Sequence, residues 1–525
     1  MSFLEKVYSD KYTLGAILVA IIFCFSVIVV TILHNPFLNS GNTVFYYFAG
    51  KEILDGFGKN VIVPNAPLTN AMLFALTDNP HFHMKIISII STTGIILLSY
   101  MITKQIFNSR VAFLTTIFIA ISASMHRHSY QIDADIFPIF LLFISFYFIT
   151  KSKLDNKNII LTGIFIGLSF ILKYQAGIIA IGILIFLLIF TKPRFKNAGL
   201  LLIVSMVVMS PLMIFNYSTT GEIFTSNSST LVLMEWNDIP EEWYDDNSHE
   251  KDFLVYENPQ LFLDNFYNNI YNSVTDIILN LKYSWNNLSV FPMIPFIGMI
   301  PLFGGIFFIR KSIPRNFIPI IIAFLIYFPI MCIFAQVTNP IRLFPPAIIL
   351  LILCALFFSK FDKKVIVIPV IIFIICINLA ASNLMFNWTM YGNDSLFEEN
   401  SQLQHQELYD ISKILAQEDD IQSKYLMGEN QLVAFHANSK FIRDYAFTPP
   451  SPRLQDDSWN IEEHILRKDW NTYEIHFSDI YSYPQRENNL ERIPDYLLIE
   501  PQKKFPKDWD IMYESENYVL FKIKK

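Results

Sequence analysis

The sequence predicts a mainly α-helical protein, a polytopic transmembrane bundle followed by a small soluble α/β domain. Three observations carry that fold class. Hydrophobic residues make up 53% of the 525 and charged residues 16%, with a mean hydropathy of +0.38. Apolar runs of bilayer-crossing length recur from Thr13 onward, separated by short polar loops. From Asn383 the composition turns soluble and stays so to Lys525. The chain thus divides into a membrane domain, 1–383, and an extracytoplasmic domain, 384–525. All four cysteines, Cys24, Cys332, Cys354 and Cys376, lie in apolar runs, so the polar segments contain neither a disulfide framework nor a thiolate metal site. A net charge of −7 gives no basis for a nucleic-acid partner.

The first apolar run, Thr13–Leu33, is followed by no small-residue cleavage site and reads as a retained helix. The next segment, 34–83, holds two half-apolar pieces, Val44–Leu54 and Leu68–Leu76. Both are too short to span and suit helices lying at the membrane interface. Further runs cover Met84–Thr103, Val111–Ser124, Ile136–Thr150, Ile159–Leu172, Tyr174–Phe190 and Leu200–Phe215. After a second large polar segment, 216–287, come Leu288–Ile309, Phe317–Phe334, Leu343–Phe358 and Val365–Ala381. The total is about eleven spans, and up to about thirteen if interrupted runs are split.

Lysine and arginine set the orientation in a multi-pass cell-membrane protein. Lys104 with Arg110, the Lys151–Lys157 group, the Lys192–Lys196 group, Arg310–Arg315 and Lys360–Lys364 all fall in alternate short loops. These loops are therefore cytoplasmic, as is the N-terminus. The two large loops, Met125–Asp135 and the C-terminal domain then lie outside. The Asn-x-Ser/Thr triplets at Asn216, Asn227, Asn287, Asn387 and Asn393 fall on that same outer side.

In the tail, Leu403–Leu415 has helical spacing, and Lys424–Met427, Asp495–Ile499 and Tyr518–Lys522 read as strands. Trp459, Trp470 and Trp509 suit either a core or a sugar-stacking surface.

Met125–Asp135 is a polar knot between two apolar runs, where ionisable groups are costly and often mark a site. A solvated turn accounts for the same composition. Asp133 and Asp135 form a D-x-D pair, which can share a divalent ion if the backbone is extended, or supply one acting carboxylate. A hydrated helix N-terminus is the plainer reading. His126, Arg127 and His128 can hold a phosphate, Arg127 through a forked contact, or can simply face the membrane surface. Lys173, between two apolar runs, must meet water or an anion. Arg342, ahead of a proline-rich turn, has the same character.

Several segments resemble, in order along the chain, the polytopic GT-C glycosyltransferases. The likeness is to the dolichyl-phosphate-mannose protein mannosyltransferase and lipid A aminoarabinose transferase group. They are Gly41–Gly56 with Tyr46, the Pro64–Leu68 turn, Gly167–Lys173, Ser210–Asn216 with Gly221, and Arg342 before its prolines. The resemblance implies an inverting transferase that moves a sugar from a polyprenyl-phosphate donor to a protein, lipid or glycan acceptor outside the cytoplasm. It also implies that Lys173, Arg127 and Arg342 hold the donor phosphate, and that Asp133 and Asp135 serve as base or as ligands of a divalent metal such as Mg or Mn. Where the group has a first-loop Asp, this chain has Asn42, whose amide cannot accept a proton at neutral pH. Either Asp133 or Asp135 takes the base role, or the chain is an inactive relative that binds glycan or assembles a complex. A flippase for lipid-linked glycan is a further alternative, disfavoured by the few charges within the spans.

Overall fold

The structure, a computed structural model, describes residues 10–34, 72–77, 80–130, 134–220, 299–310, 313–334, 340–361, 399–428, 431–437, 439–443, 495–499, 509–515 and 517–523, with the single positions Tyr47, Gly50, Lys51, Leu54, Ile223, Leu263, Tyr267 and Ile372. The chain forms two compact units. The first takes in Met1–Pro36, His81–Tyr217 and Leu254–Thr389, and the second Phe37–Pro80, Ser218–Phe253 and Met390–Lys525.

The first unit is helical. Its elements are α1 (Lys11–His34), α2 (Pro80–Ile106), α3 (Ser109–Ala120), α4 (Ala123–Tyr130), α5 (Ile136–Ile149), α6 (Asn156–Leu172), α7 (Ala176–Phe190), α8 (Arg194–Thr220), α9 (Met299–Ile309), α10 (Ile318–Phe334) and α11 (Pro340–Ser359). Ten of these coincide with predicted apolar runs; the run Val365–Ala381 lies outside the described residues apart from Ile372. Among the described residues, three stretches are long and apolar enough to cross a membrane by themselves, Lys11–Ile32, Phe82–Ile106 and Arg194–Ser218. Starts are fixed by side chains where the sequence provides them. Asn108 accepts from the Arg110 and Val111 amides at the head of α3, and Asp155 accepts from the Asn158 amide at the head of α6.

Helix pairs approach closely where glycine removes the side chain. A Cβ on Gly167 would lie 2.7 Å from the Val208 side chain, bringing α6 against α8. A Cβ on Gly182 would lie 2.7 Å from the Ala323 backbone, bringing α7 against α10. Backbone cannot rotate away as a side chain can. Gly182→Val is therefore expected to destabilise the protein by at least about 1–3 kcal/mol, the range for overpacking. Thermal unfolding in detergent would show it as a lowered midpoint.

One end of the bundle is clasped by Asp10, and this end serves below as the foot. Its carboxylate accepts from Lys104 Nζ (2.7 Å), Ser109 Oγ (2.8 Å), Thr13 Oγ1 (2.9 Å) and the Tyr12 amide (3.1 Å), joining α1, α2 and α3. Burial opposes the charge, but these donors outweigh it and hold Asp10 well below the usual carboxylate range. The folded form thus binds a proton less readily than the unfolded one. The clasp's contribution is complete above the unfolded value of about 4 and declines as pH falls toward the lower folded value. Asp10→Asn is expected to lower the unfolding midpoint at pH 7 and to flatten its pH dependence below about pH 4.

Helix length sets depth. α1 and α2, with 24 and 27 residues, rise about 36 and 40 Å at about 1.5 Å per residue. α3, starting at the same foot, has 12 residues and rises only about 18 Å. It ends at Ile121, whose amide donates to the Ile117 carbonyl, while the Ser122 amide turns back to the Ile119 carbonyl at 3.1 Å. α4 then packs against the middle of α1, with the His126 ring 5.0 Å from that of Phe23. Of the two readings of Met125–Asp135, the solvated turn does not fit the described part. That part is a recessed helix with His126 and His128 buried. α5, α6 and α7, with 14, 17 and 15 residues, are short as well, rising about 21–26 Å against a hydrocarbon thickness of about 30 Å.

The second unit contains α12 (Glu399–Leu415), β1 (Tyr425–Gly428), α13 (Gln431–Ala437), β2 (Lys440–Arg443), β3 (Tyr496–Ile499), β4 (Asp510–Glu514) and β5 (Val519–Lys522). The sheet order is β2-β1-β3-β5-β4, parallel across β2-β1-β3 and antiparallel beyond. β1 opposes β3 with Met427 beside Leu497, and β3 opposes β5 with Leu498 beside Leu520. Leu408, Ile411 and Leu415 of α12 and Val433 and Ala434 of α13 pack with Leu426, Tyr496 and Leu520 in one core. Trp509 is core, edge-on to Phe521, rather than a stacking surface; Trp459 and Trp470 lie outside the described residues.

Candidate active site

Asp135 and Lys173 come together although 38 residues separate them. Lys173 Nζ donates to Asp135 Oδ1 in an ion pair whose side chains are 14% and 21% exposed. Short helices produce the meeting. Asp135 stands at the N-cap of α5 and Lys173 at the C-cap of α6, and these two helices are the neighbours on either side of the loop at the foot. Ser169 Oγ locks them near the site by donating to the Pro138 carbonyl at 2.9 Å. Proline is tolerated in the first turn of α5, where its missing amide has no intrahelical partner to lose. Lys173 has an extended backbone, φ −155° and ψ 116°, which stops α6, and its carbonyl accepts from the Ala176 amide at 3.1 Å as α7 begins.

The pair forms one wall of a cavity of about 310 Å³, open mouth included. Pro138, Ile139 and Leu142 of α5 line it, with Ser169 of α6, Gln175 and Ala176 at the head of α7, and Tyr327 of α10. Tyr327 is fully buried, and its hydroxyl lies 3.4 Å from Gln175 Oε1. The lining is thus mixed, with Asp135, Ser169, Lys173, Gln175 and Tyr327 beside Pro138, Ile139, Leu142 and Ala176. An isolated charge among such helices is expensive, and pairing offsets that cost for both groups.

Of the D-x-D pair, only Asp135 is described. Its backbone is helical, φ −92° and ψ −29°, rather than extended, and its carboxylate faces a cation. Among the described residues no group of three or more His, Cys, Asp or Glu can hold a metal. Asp133, Asn42 and Tyr46 lie outside the described residues. Arg127 falls on α4 and Arg342 on α11, with their side chains outside the description.

Sequence reasoning missed Gln175, Tyr327 and Ser169. Gln175 is the one visible from sequence, an amide between two apolar runs; Tyr327 sits inside an apolar run and carries no signal. Lys85 on α2, only 5% exposed, was missed as well. Asn216, one of the Asn-x-Ser/Thr triplets, is buried, and its amide reaches the Tyr174 hydroxyl at 3.3 Å, so it is not a modification site in the folded chain.

Residues 63–215 match the family model described as dolichyl-phosphate-mannose-protein mannosyltransferase. That stretch contains Arg127, Asp133, Asp135 and Lys173 and excludes Asn42, Tyr46 and Arg342. No curated protein matches the chain. Among solved structures, the fold is similar to ArnT from Cupriavidus metallidurans bound to undecaprenyl phosphate, with a TM-score of 0.60 and 9% identity over 96% of this chain and 97% of that one. Apo ArnT gives the same TM-score over 98% of each chain. The Archaeoglobus fulgidus oligosaccharyltransferase in complex with Zn and sulfate matches at a TM-score of 0.50 and 14% identity, over 92% of this chain and 68% of that one. The chain has the polytopic fold of the GT-C group that its sequence motifs resemble, and it is a membrane protein.

Proposed function

We propose that the chain is an integral-membrane glycosyltransferase that moves a sugar from a polyprenyl-phosphate donor to an acceptor hydroxyl on the extracytoplasmic side, with inversion. One observation carries this reading: Lys173 and Asp135 pair on the wall of a cavity that is lined in part by apolar side chains of α5. A lipid-linked donor keeps its chain in the hydrocarbon and presents its phosphate at the edge of it, where a cavity with one apolar side and one charged pair can meet both parts. Lys173 is the cation there, suited to hold the phosphate as it becomes the leaving group. Asp135 is the carboxylate there, suited to take the acceptor's proton. The acceptor oxygen attacks the anomeric carbon, the bond from that carbon to the phosphate oxygen breaks, polyprenyl phosphate departs, and the hydroxyl proton passes to Asp135.

Asn42 cannot take that proton, which leaves the role to Asp135, with Asp133 beside it in sequence. Arg127 and Arg342 are proposed as further phosphate contacts, and Tyr46 as a first-loop contact. The orientation with the N-terminus inside and the tail domain outside, and the division into domains 1–383 and 384–525, belong to the same proposal.

The test is transfer by the purified chain in nanodiscs, supplied with labelled undecaprenyl-phosphate hexoses and pentoses and outer-membrane or cell-wall acceptors. Released undecaprenyl phosphate together with labelled acceptor is the expected result. Binding of carrier with no release for any donor would favour the inactive relative, the reading that Asn42 supports.

A further inference from the structure

We propose that Gln175 reads the donor's sugar: its side-chain amide hydrogen-bonds a sugar hydroxyl while Lys173 holds the phosphate. This rests on the reading in which Lys173 binds the donor phosphate. Gln175 lines the same cavity as Lys173 and Asp135, two residues beyond the lysine, where α6 gives way to α7. The sugar is joined to the phosphate through one bridging oxygen, so a group this close to the lysine is within its reach.

Of the neutral polar side chains that line the cavity, Gln175 has hydrogen-bonding capacity left. Ser169 Oγ already donates to the Pro138 carbonyl at 2.9 Å, and Tyr327 is fully buried. Gln175 stands at the N-cap of α7 but makes no cap hydrogen bond with its side chain. Its Oε1 lies 3.4 Å from the Tyr327 hydroxyl, and among the described residues its Nε2 has no hydrogen-bond partner. An amide both donates and accepts, and so does a hydroxyl, so the two pair whichever way the amide is turned. The charged phosphate has the ammonium; the neutral amide is matched to a neutral sugar.

Packing sets where that amide starts. Gly182 of α7 meets the Ala323 backbone of α10, and Tyr327 follows Ala323 by four residues, about one helical turn. The Tyr327 hydroxyl is thereby brought across to Gln175, for which it is a positioning group. A donor without the matching hydroxyl leaves the amide unpaired among Pro138, Ile139, Leu142 and Ala176, which is a larger penalty than a bond merely not made. Gln175 therefore discriminates between sugars rather than simply adding affinity.

The test is binding of farnesyl phosphate and of its mannosyl, glucosyl, galactosyl and arabinosyl esters to the full chain in nanodiscs. Gln175→Leu is expected to weaken the ester that the natural chain binds best by about three- to tenfold, the scale of one neutral hydrogen bond. Farnesyl phosphate should bind this variant as it binds the natural chain. Tyr327→Phe should weaken the same ester by less, and should have no further effect once Gln175 is replaced, as a positioning role requires. Equal weakening of farnesyl phosphate and the esters overturns the proposal, because the amide then serves the phosphate or the fold. Esters that bind the variant unchanged overturn it too, as does a natural chain that binds farnesyl phosphate and none of the esters. Gln175→Ala covers the case in which Gln175→Leu does not fold. Lys173→Met separates this proposal from the reading beneath it. If Lys173→Met weakens farnesyl phosphate binding while Gln175→Leu leaves every ester unchanged, the donor reading stands and the sugar contact falls. If Lys173→Met binds farnesyl phosphate as well as the natural chain, both fall.

Discussion

Lys173→Met is expected to reduce sugar transfer by about a hundredfold to a thousandfold, the scale for losing one group aimed at developing charge in a dry site. The loss should appear in kcat as well as in the apparent KM for the carrier, because the phosphate gains charge as the glycosidic bond breaks. Removing the ammonium also leaves Asp135 buried without its cation, and breaking such a pair costs stability. Lys173→Arg separates the two effects. It keeps the charge and the pairing, so folded yield should return and transfer should recover in part. A loss of folded protein without any change in transfer per folded molecule would mean that the lysine is structural.

Asp135→Asn is the second large expectation. If the carboxylate is the base, kcat falls by about a hundredfold to ten-thousandfold. The apparent KM for the carrier does not rise, because the substitution removes a negative charge from beside the phosphate site and leaves Lys173 in place. Falling kcat with a steady or falling KM is a signature that simple misfolding does not give. Unchanged kcat would remove Asp135 from the chemistry and pass the role to Asp133.

Much of this arrangement was legible in the sequence, in pieces. The apolar runs located α1, α2 and α5 through α8 because each is bounded by charge or proline. Asp135 and Lys173 stood out separately because charge is rare in such runs. Their pairing was not legible. It depends on α5 and α6 being short and antiparallel, and on which turn of each faces the other. The depth of the site was hidden for a related reason. The run Val111–Ser124 continues past Ala120 with no glycine or proline to mark an end, yet the helix stops there and α4 folds inward. In the tail, β2 and β4 escaped notice, since each begins and ends on a charged residue, Lys440 and Arg443 or Asp510 and Glu514, which leaves only two or three residues between them. Tyr327 and Gly182 matter through what stands opposite them on another helix, which no local pattern records.

The most direct test of the central claim is the structure of the full chain in nanodiscs saturated with undecaprenyl phosphate. The account predicts the phosphate within about 4 Å of Lys173 Nζ, the distance of an ion pair, with the lipid chain leaving along the apolar side of the cavity. A phosphate bound elsewhere, with Lys173 still paired to Asp135, would contradict it.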